Sequence, residues 1–222
     1  MSTLADRYAR IKASLPPHVE LIAVSKTRSV AEIRALYDLG QRAFGENYPQ
    51  ELREKAALLP NDIQWHFIGH LQRSNVKHVL PLAHLIHGVD GPKVLDEIEK
   101  RARATGRTAH VLLQVHIARE ETKHGLSGPE LLALVEGWDA ARWAHIRVRG
   151  LMGMATDTED NDLVRSEFRT LAGLFHRIQA GHTFRDHGFD TLSMGMTSDH
   201  GLAVEEGSTL VRIGTALFGP RP

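Results

Sequence analysis

Leu21-Ile22-Ala23-Val24, then Ser25-Lys26-Thr27, then a helical stretch over 30–39 stopped by Gly40: the reading of this passage decides the fold. Four apolar residues in a row, rich in β-formers and bounded by polar ones, read as a short buried strand. Glycine just past a helix is a common stop, because it takes a left-handed backbone without a Cβ penalty. Strand, polar turn and helix make one β/α unit. Upstream, Leu4, Tyr8, Ile11 and Leu15 recur at helical spacing, and Pro16-Pro17 ends that run. This predicts an additional N-terminal helix, within residues 1–18, packing on the domain that the later segments form.

Downstream the unit repeats. Further strands are expected at 42–44, 64–68, 84–87, 109–115, 146–151, 191–194 and 210–213, and helices at 48–59, 74–80, 91–105, 127–138, 162–179 and 200–206. That gives eight strands, each but the last followed by a helix. Alternation of this kind implies a parallel sheet, and eight units predict a closed α/β structure, a (β/α)8 TIM barrel. No Pro-, Gly- or Ser-rich linker interrupts it. The longest loops, around 118–128 and 181–190, are too short to hide a boundary, so the reading is a single domain over 1–222.

Composition narrows the function classes. The 222 residues are 42% hydrophobic, with Lys plus Arg and Asp plus Glu at 27 each, so the formal net charge is zero. That balance points to no nucleic acid and no membrane partner. No stretch approaches the ~20 apolar residues of a membrane span. Cysteine is absent, which excludes disulfides and thiolate metal sites. The N-terminus lacks the apolar core of a signal peptide, and the expectation is a cytoplasmic protein. The 14 histidines read as a His-rich surface. Their nearest approach to a metal motif, His66 and His70, falls on a strand end and a Gly turn, where residues four apart do not share a helical face. No metal site is expected.

In a (β/α)8 barrel the functional site lies at the C-terminal ends of the strands. Lys26 follows the first strand there. A lysine in that position is either a surface residue or a Schiff-base amine. Ser193-Met194-Gly195 and Gly214-Thr215 follow strands seven and eight, where such barrels commonly cradle phosphate on backbone N–H groups. Either pair alone is compatible with plain turns. Arg212 sits between apolar strand neighbours and needs a partner. It either pairs with a barrel carboxylate or faces a ring nitrogen, which it would keep unprotonated. A phosphorylated aldehyde could span Lys26 and the two glycine turns. A different phosphorylated metabolite, with Lys26 as counter-charge, would fit the same pattern.

Longer motifs carry a resemblance. Val24-Ser25-Lys26-Thr27, the run 44–51 (FGENYPQE), the run 65–72 (WHFIGHLQ), Gly150-Leu151-Met152, the run 192–199 (LSMGMTSD) and the run 207–219 (GSTLVRIGTALFG) resemble the YggS/PROSC family of pyridoxal 5′-phosphate (PLP) homeostasis proteins. The resemblance implies a barrel related to the N-terminal domain of alanine racemase. It implies PLP as a Schiff base on Lys26, Arg212 near the pyridine nitrogen, and phosphate held by Ser193, Gly214 and Thr215. It places Asn47 and His66 along the pocket, with Met194 and Met152 packed near the cofactor. Family members are mostly monomers that help control PLP supply, which makes apo PLP-dependent enzymes the candidate recipients. Departures fall at Pro49, Gly88, His116, the segment 74–77 and Thr197; none touches Lys26, Arg212 or the phosphate segments.

The alternative is a PLP-dependent amino-acid racemase. Racemisation needs acid–base groups on both faces of the substrate carbon. Alanine racemase adds a second domain and uses a Tyr as its second base, whereas this chain has only Tyr8, Tyr37 and Tyr48. His66 is the best remaining candidate for the second face. The reading therefore favours a protein that holds PLP over one that turns it over.

Overall fold

A computed structural model describes residues 2–220; Met1, Arg221 and Pro222, which the expected domain includes, lie outside the described residues. Helix α1 (Leu4–Ser14) starts at a capping box between Thr3 and Asp6. Eight strands follow: β1 (Glu20–Val24), β2 (Ala43–Glu46), β3 (Gln64–Phe67), β4 (Ala83–Val89), β5 (Ala109–His116), β6 (Ile146–Met154), β7 (Thr191–Ser193) and β8 (Leu210–Ile213). All pair in parallel in sequence order, and β8 pairs with β1 to close the barrel. The helices between them are α2 (Val30–Asp38), α3 (Pro49–Leu58), α4 (Val76–Val79), α5 (Pro92–Thr105), α6 (Gly128–Glu136), α7 (Asn161–Ala180) and α8 (His200–Glu205).

Local chemistry sets these boundaries. Ser29 with Glu32 and Ser127 with Glu130 form capping boxes that satisfy N-terminal amides of α2 and α6. Pro49 and Pro92 open α3 and α5, where a missing N–H costs nothing. Gly106 ends α5 in the left-handed region.

Period-two alternation sorts each strand between two layers. Leu21 and Ala23, Trp65 and Phe67, Leu192 and Met194, and Val211 and Ile213 face outward, into one large cluster shared with the helices. Ile22, Ala43, Leu85, Leu112, Met152 and Leu210 fill the barrel interior. Polar residues alternate with these inward: His66, His87, Ser193 and Arg212 are all buried.

Three expectations change. A ninth helix, α9 (Thr215–Phe218), follows β8, so the last strand is not without one. Strand β6 runs three residues beyond the expected end at 151, to Met154. The 74–80 helix begins as a 3-10 turn, Arg73–Asn75, before α4. The expected His-rich surface is also corrected in part, because His66 and His87 lie inside the barrel, 1% and 0% exposed.

Candidate functional site

Lys26 lies two residues beyond β1, in a turn closed by Arg28 N–H donating to Ser25 O at 3.0 Å. Thr27, next to it, has φ +64, a conformation costly for a β-branched residue. The turn is held from several sides. The Thr27 amide donates to Glu51 Oε2 at 2.8 Å. Lys55, 6% exposed, donates to Ser25 O, Glu46 Oε1 and Glu51 Oε2 at 2.8, 2.9 and 2.7 Å. Ser25 Oγ donates to Glu46 Oε1 at 2.5 Å. Burial pushes the Glu46 carboxyl up, against the pull of Lys55 and Ser25. Glu51, also opposed by desolvation, is held down by Lys55 and the Thr27 amide. From the other edge, Arg28 donates to Gly219 O and to Pro220 O, and stacks over Phe218. A strained turn over-determined by its surroundings is the local structure functional sites favour.

A cavity of about 260 Å³ opens at this end of the barrel. Lys26 reaches it from β1, Asn47 from beyond β2, and Arg212, Gly214 and Thr215 from β8 and its following turn. Val24, Ile68 and Met154 supply apolar wall, and Met196, Thr197 and Ser198 complete the side after β7. Arg212 is 4% exposed. Its Nη1 donates to Ser193 O and Oγ at 2.9 and 2.6 Å, and its Nη2 to Gly153 O at 3.0 Å. These neutral acceptors take the place of the barrel carboxylate considered from sequence. Burial lowers Arg212 to about 10, which leaves it charged at neutral pH. Gly214 passes close to β1; a Cβ there would lie 3.3 Å from Val24 O.

Five of the eight residues singled out from sequence meet here: Lys26, Asn47, Arg212, Gly214 and Thr215. Three do not. Ser193 is fully buried behind Arg212, with its hydroxyl committed to Arg212 and His87. Met194 faces outward into the layer beneath the helices. His66 points into the barrel but lines a different cavity, at the N-terminal mouth. Met152 lies in the interior cluster, two residues before Met154 on the same strand face. The lining residues not singled out from sequence are Val24, Ile68, Met154, Met196, Thr197 and Ser198. Thr197 and Ser198 lie within the quoted run 192–199, so the signal for them was present.

A further cluster sits on the same rim. His70, Asp90 and His124 bring potential ligand atoms within 4.8 Å of one another. The two rings stack in nearly parallel planes, 16° apart with centroids 3.8 Å apart. Imidazole lone pairs lie in the ring plane, so rings stacked this way do not converge on one ion. His70 Nδ1 lies 3.2 Å from Asp90 Oδ2.

The donor set suits PLP. Asn47 Oδ1 is buried at the cavity wall without a protein partner, an acceptor in need of a donor. One primary amine, one guanidinium, a glycine turn and hydroxyls answer the aldehyde, ring and phosphate of such a molecule.

A closed parallel barrel with this site defines a class, and the alanine racemase N-terminal domain family matches residues 1–222. The pyridoxal phosphate homeostasis protein of Pasteurella multocida is 37% identical over 206 residues, spanning 91% of this chain and 87% of that one. PipY of Synechococcus elongatus, solved without PLP, superposes with a TM-score of 0.91 at 34% identity, covering 98% of this chain and all of that one. PipY with PLP bound gives 0.87 at 33%. Alanine racemase from Bartonella henselae, 16% identical with a TM-score of 0.74, shares the fold, and this chain covers 59% of it. The chain belongs to the pyridoxal phosphate homeostasis protein family.

Proposed function

We propose that this protein binds PLP in the C-terminal cavity, holds it as a Schiff base on Lys26, and supplies it to apo PLP-dependent enzymes. The observation that carries the reading is one cavity reached by the Lys26 amine, the Arg212 guanidinium and the Gly214–Thr215 turn. The relatives named for PLP homeostasis and the PLP-bound PipY support it. Bound PLP supplies an aldehyde that condenses with an amine, releasing water, and a pyridine ring that can draw electrons.

The chain's own groups divide the work. Lys26 Nζ is the amine. Arg212 only donates hydrogen bonds, so a ring nitrogen held beside it would be kept as an unprotonated acceptor. That weakens the ring as an electron sink and suits holding over turnover. Gly214 and Thr215, with the Thr197–Ser198 segment opposite, offer backbone N–H groups and hydroxyls to phosphate. Asn47 Oδ1, a buried acceptor, would take a hydrogen bond from a donor on the cofactor. Val24, Ile68 and Met154 limit water at the linkage. Among the described residues no Tyr and no His lines the cavity, so no second acid–base group stands opposite Lys26. The protein acts in this reading as a single-domain, cytoplasmic monomer. Among the described residues no helix is long and apolar enough to cross a membrane.

The test mixes the PLP-loaded protein with an apo PLP-dependent enzyme and follows recovery of that enzyme's activity, beside optical rotation of L-amino acids. Transfer faster than from free, trapped PLP and no racemisation is the predicted result. Robust racemisation without transfer would replace this reading with an enzymatic one.

A further inference from the structure

A chain of polar side chains crosses the barrel interior. Arg212 Nη1 is 2.6 Å from Ser193 Oγ, Ser193 Oγ is 3.1 Å from His87 Nδ1, and His87 Nε2 is 3.0 Å from His66 Nδ1. The acceptors within reach set its direction. A guanidinium only donates, so Ser193 Oγ accepts from Arg212; among the described residues the other group in range of that hydroxyl is His87 Nδ1, and a buried hydroxyl proton needs an acceptor, so Ser193 donates to it. His87 then carries its own proton on Nε2 and donates it to His66 Nδ1. His66 is left with its proton on Nε2. The chain ends on an N–H, and that atom is buried without a protein partner in a side chain only 1% exposed.

That end lies at the opposite mouth from Lys26. His66 lines a cavity of about 180 Å³ among residues that begin the strands, with His84, His110 and Arg149 beside it and Glu20 at the rim. Two register shifts account for two of these neighbours. Trp65 pairs with Ala83 but His66 with Leu85, which makes His84 an extra residue in β4. Val111 pairs with Val148 but Leu112 with Gly150, which makes Arg149 the extra residue in β6. Such bulges re-aim side chains. Gly150, at φ +154 and packed against the Thr191 carbonyl, permits the second. Arg149 donates from Nε to Gly188 O at 2.9 Å and reaches Asp190 from Nη2 only at 3.4 Å, which leaves donor capacity on Nη1.

We infer that the N-terminal mouth is a second ligand site, for a small oxyanion whose oxygen accepts the His66 Nε2–H beside the Arg149 guanidinium. A protonated Nε2 cannot ligate a metal, so the chemistry selects an acceptor. Carboxylate and phosphate share it. Glu20 opposes either, which gives the site a signed test.

Side-chain nitrogen NMR on the purified, PLP-free protein reads both claims. His66 and His87 are expected as Nε2–H tautomers. Titration with inorganic phosphate in one arm and acetate in the other is expected to move His66, His84 and His110 saturably in the low millimolar range, and the stronger arm identifies the source. His84 and His110 lie outside both the Lys26 cavity and the chain that starts at Arg212, so their movement distinguishes binding at this mouth from phosphate bound beside Lys26, which can reach His66 through Arg212. Glu20→Gln, on the exposed rim, should tighten binding roughly three- to tenfold by removing a like charge, and Arg149→Met should weaken it by a similar factor. A proton on His66 Nδ1, no saturable movement in either arm, or weaker binding in Glu20→Gln would overturn the inference.

Discussion

Asn47 separates binding from stability more cleanly than any other residue at the Lys26 cavity. Its Oδ1 is a buried acceptor with no protein partner. Truncation removes a group already desolvated, so Asn47→Ala should change stability by less than ~1 kcal/mol. The same change should weaken PLP retention roughly two- to tenfold, the worth of one hydrogen bond. Equilibrium dialysis and urea unfolding on one preparation check both halves. A large stability loss with unchanged retention would make Asn47 structural. Arg212 behaves oppositely, because its three bonds to Ser193 and Gly153 tie it to the barrel as well as to the site. Its alternation between Val211 and Ile213 was legible in sequence, as was the need for a partner. The partner's identity was not, since two of its bonds go to carbonyl oxygens, which carry no sequence signature.

The β1–α2 turn is the element on which the Lys26 site depends. Lys55 on α3 reaches Ser25 O, Glu46 and Glu51 at once, and Glu46 is fully buried. Lys55→Met would leave the Glu46 carboxylate uncompensated, at a cost of about 3–5 kcal/mol. Adding Glu46→Gln should recover much of that, read by thermal or urea unfolding; a double variant no more stable than Lys55→Met would refute the pairing. A plain apolar run announces strand β1 and Lys26, yet nothing in the sequence signals this support, which joins residues 30 positions apart. Elements with many glycines were also hard to delimit. Gly153 reads as part of a turn after residue 151, but it lies in the strand and fits where a Cβ would press on Leu171 and Ile117, while Gly150, expected inside the strand, serves a bulge there. Helix α9 spans four residues, too few for a periodic pattern, and only Gly219 at its end signals it.

Across the whole molecule, the barrel's two open ends explain both the successes and the misplacements. Alternation tells which residues point inward, but not how deep they sit, because staggered strands start at different levels. The family resemblance places His66 along the cofactor pocket, a level that alternation cannot check, whereas its side chain lines the cavity at the other mouth. The buried histidines also set the acid response. Burial, with His84 nearby, pushes His66 down to about 3, and burial with His66 and Arg212 pushes His87 well below its ordinary value. The folded protein keeps both neutral while the unfolded chain takes up protons below ~6.5. Stability should thus fall as pH drops from about 6.5 toward 3, by up to about 1.4 kcal/mol per pH unit for each histidine. Urea midpoints at pH 7.5 and 5 measure this, and equal midpoints would contradict it. The central claim concerns Lys26, and borohydride reduction of the purified, PLP-loaded protein followed by peptide mass analysis tests it most directly. The predicted result is a visible absorbance band that reduction abolishes, the phosphopyridoxyl mass on Lys26, and neither in Lys26→Ala. A Lys26→Ala protein that keeps the band, or a label on another lysine in the wild type, would contradict it.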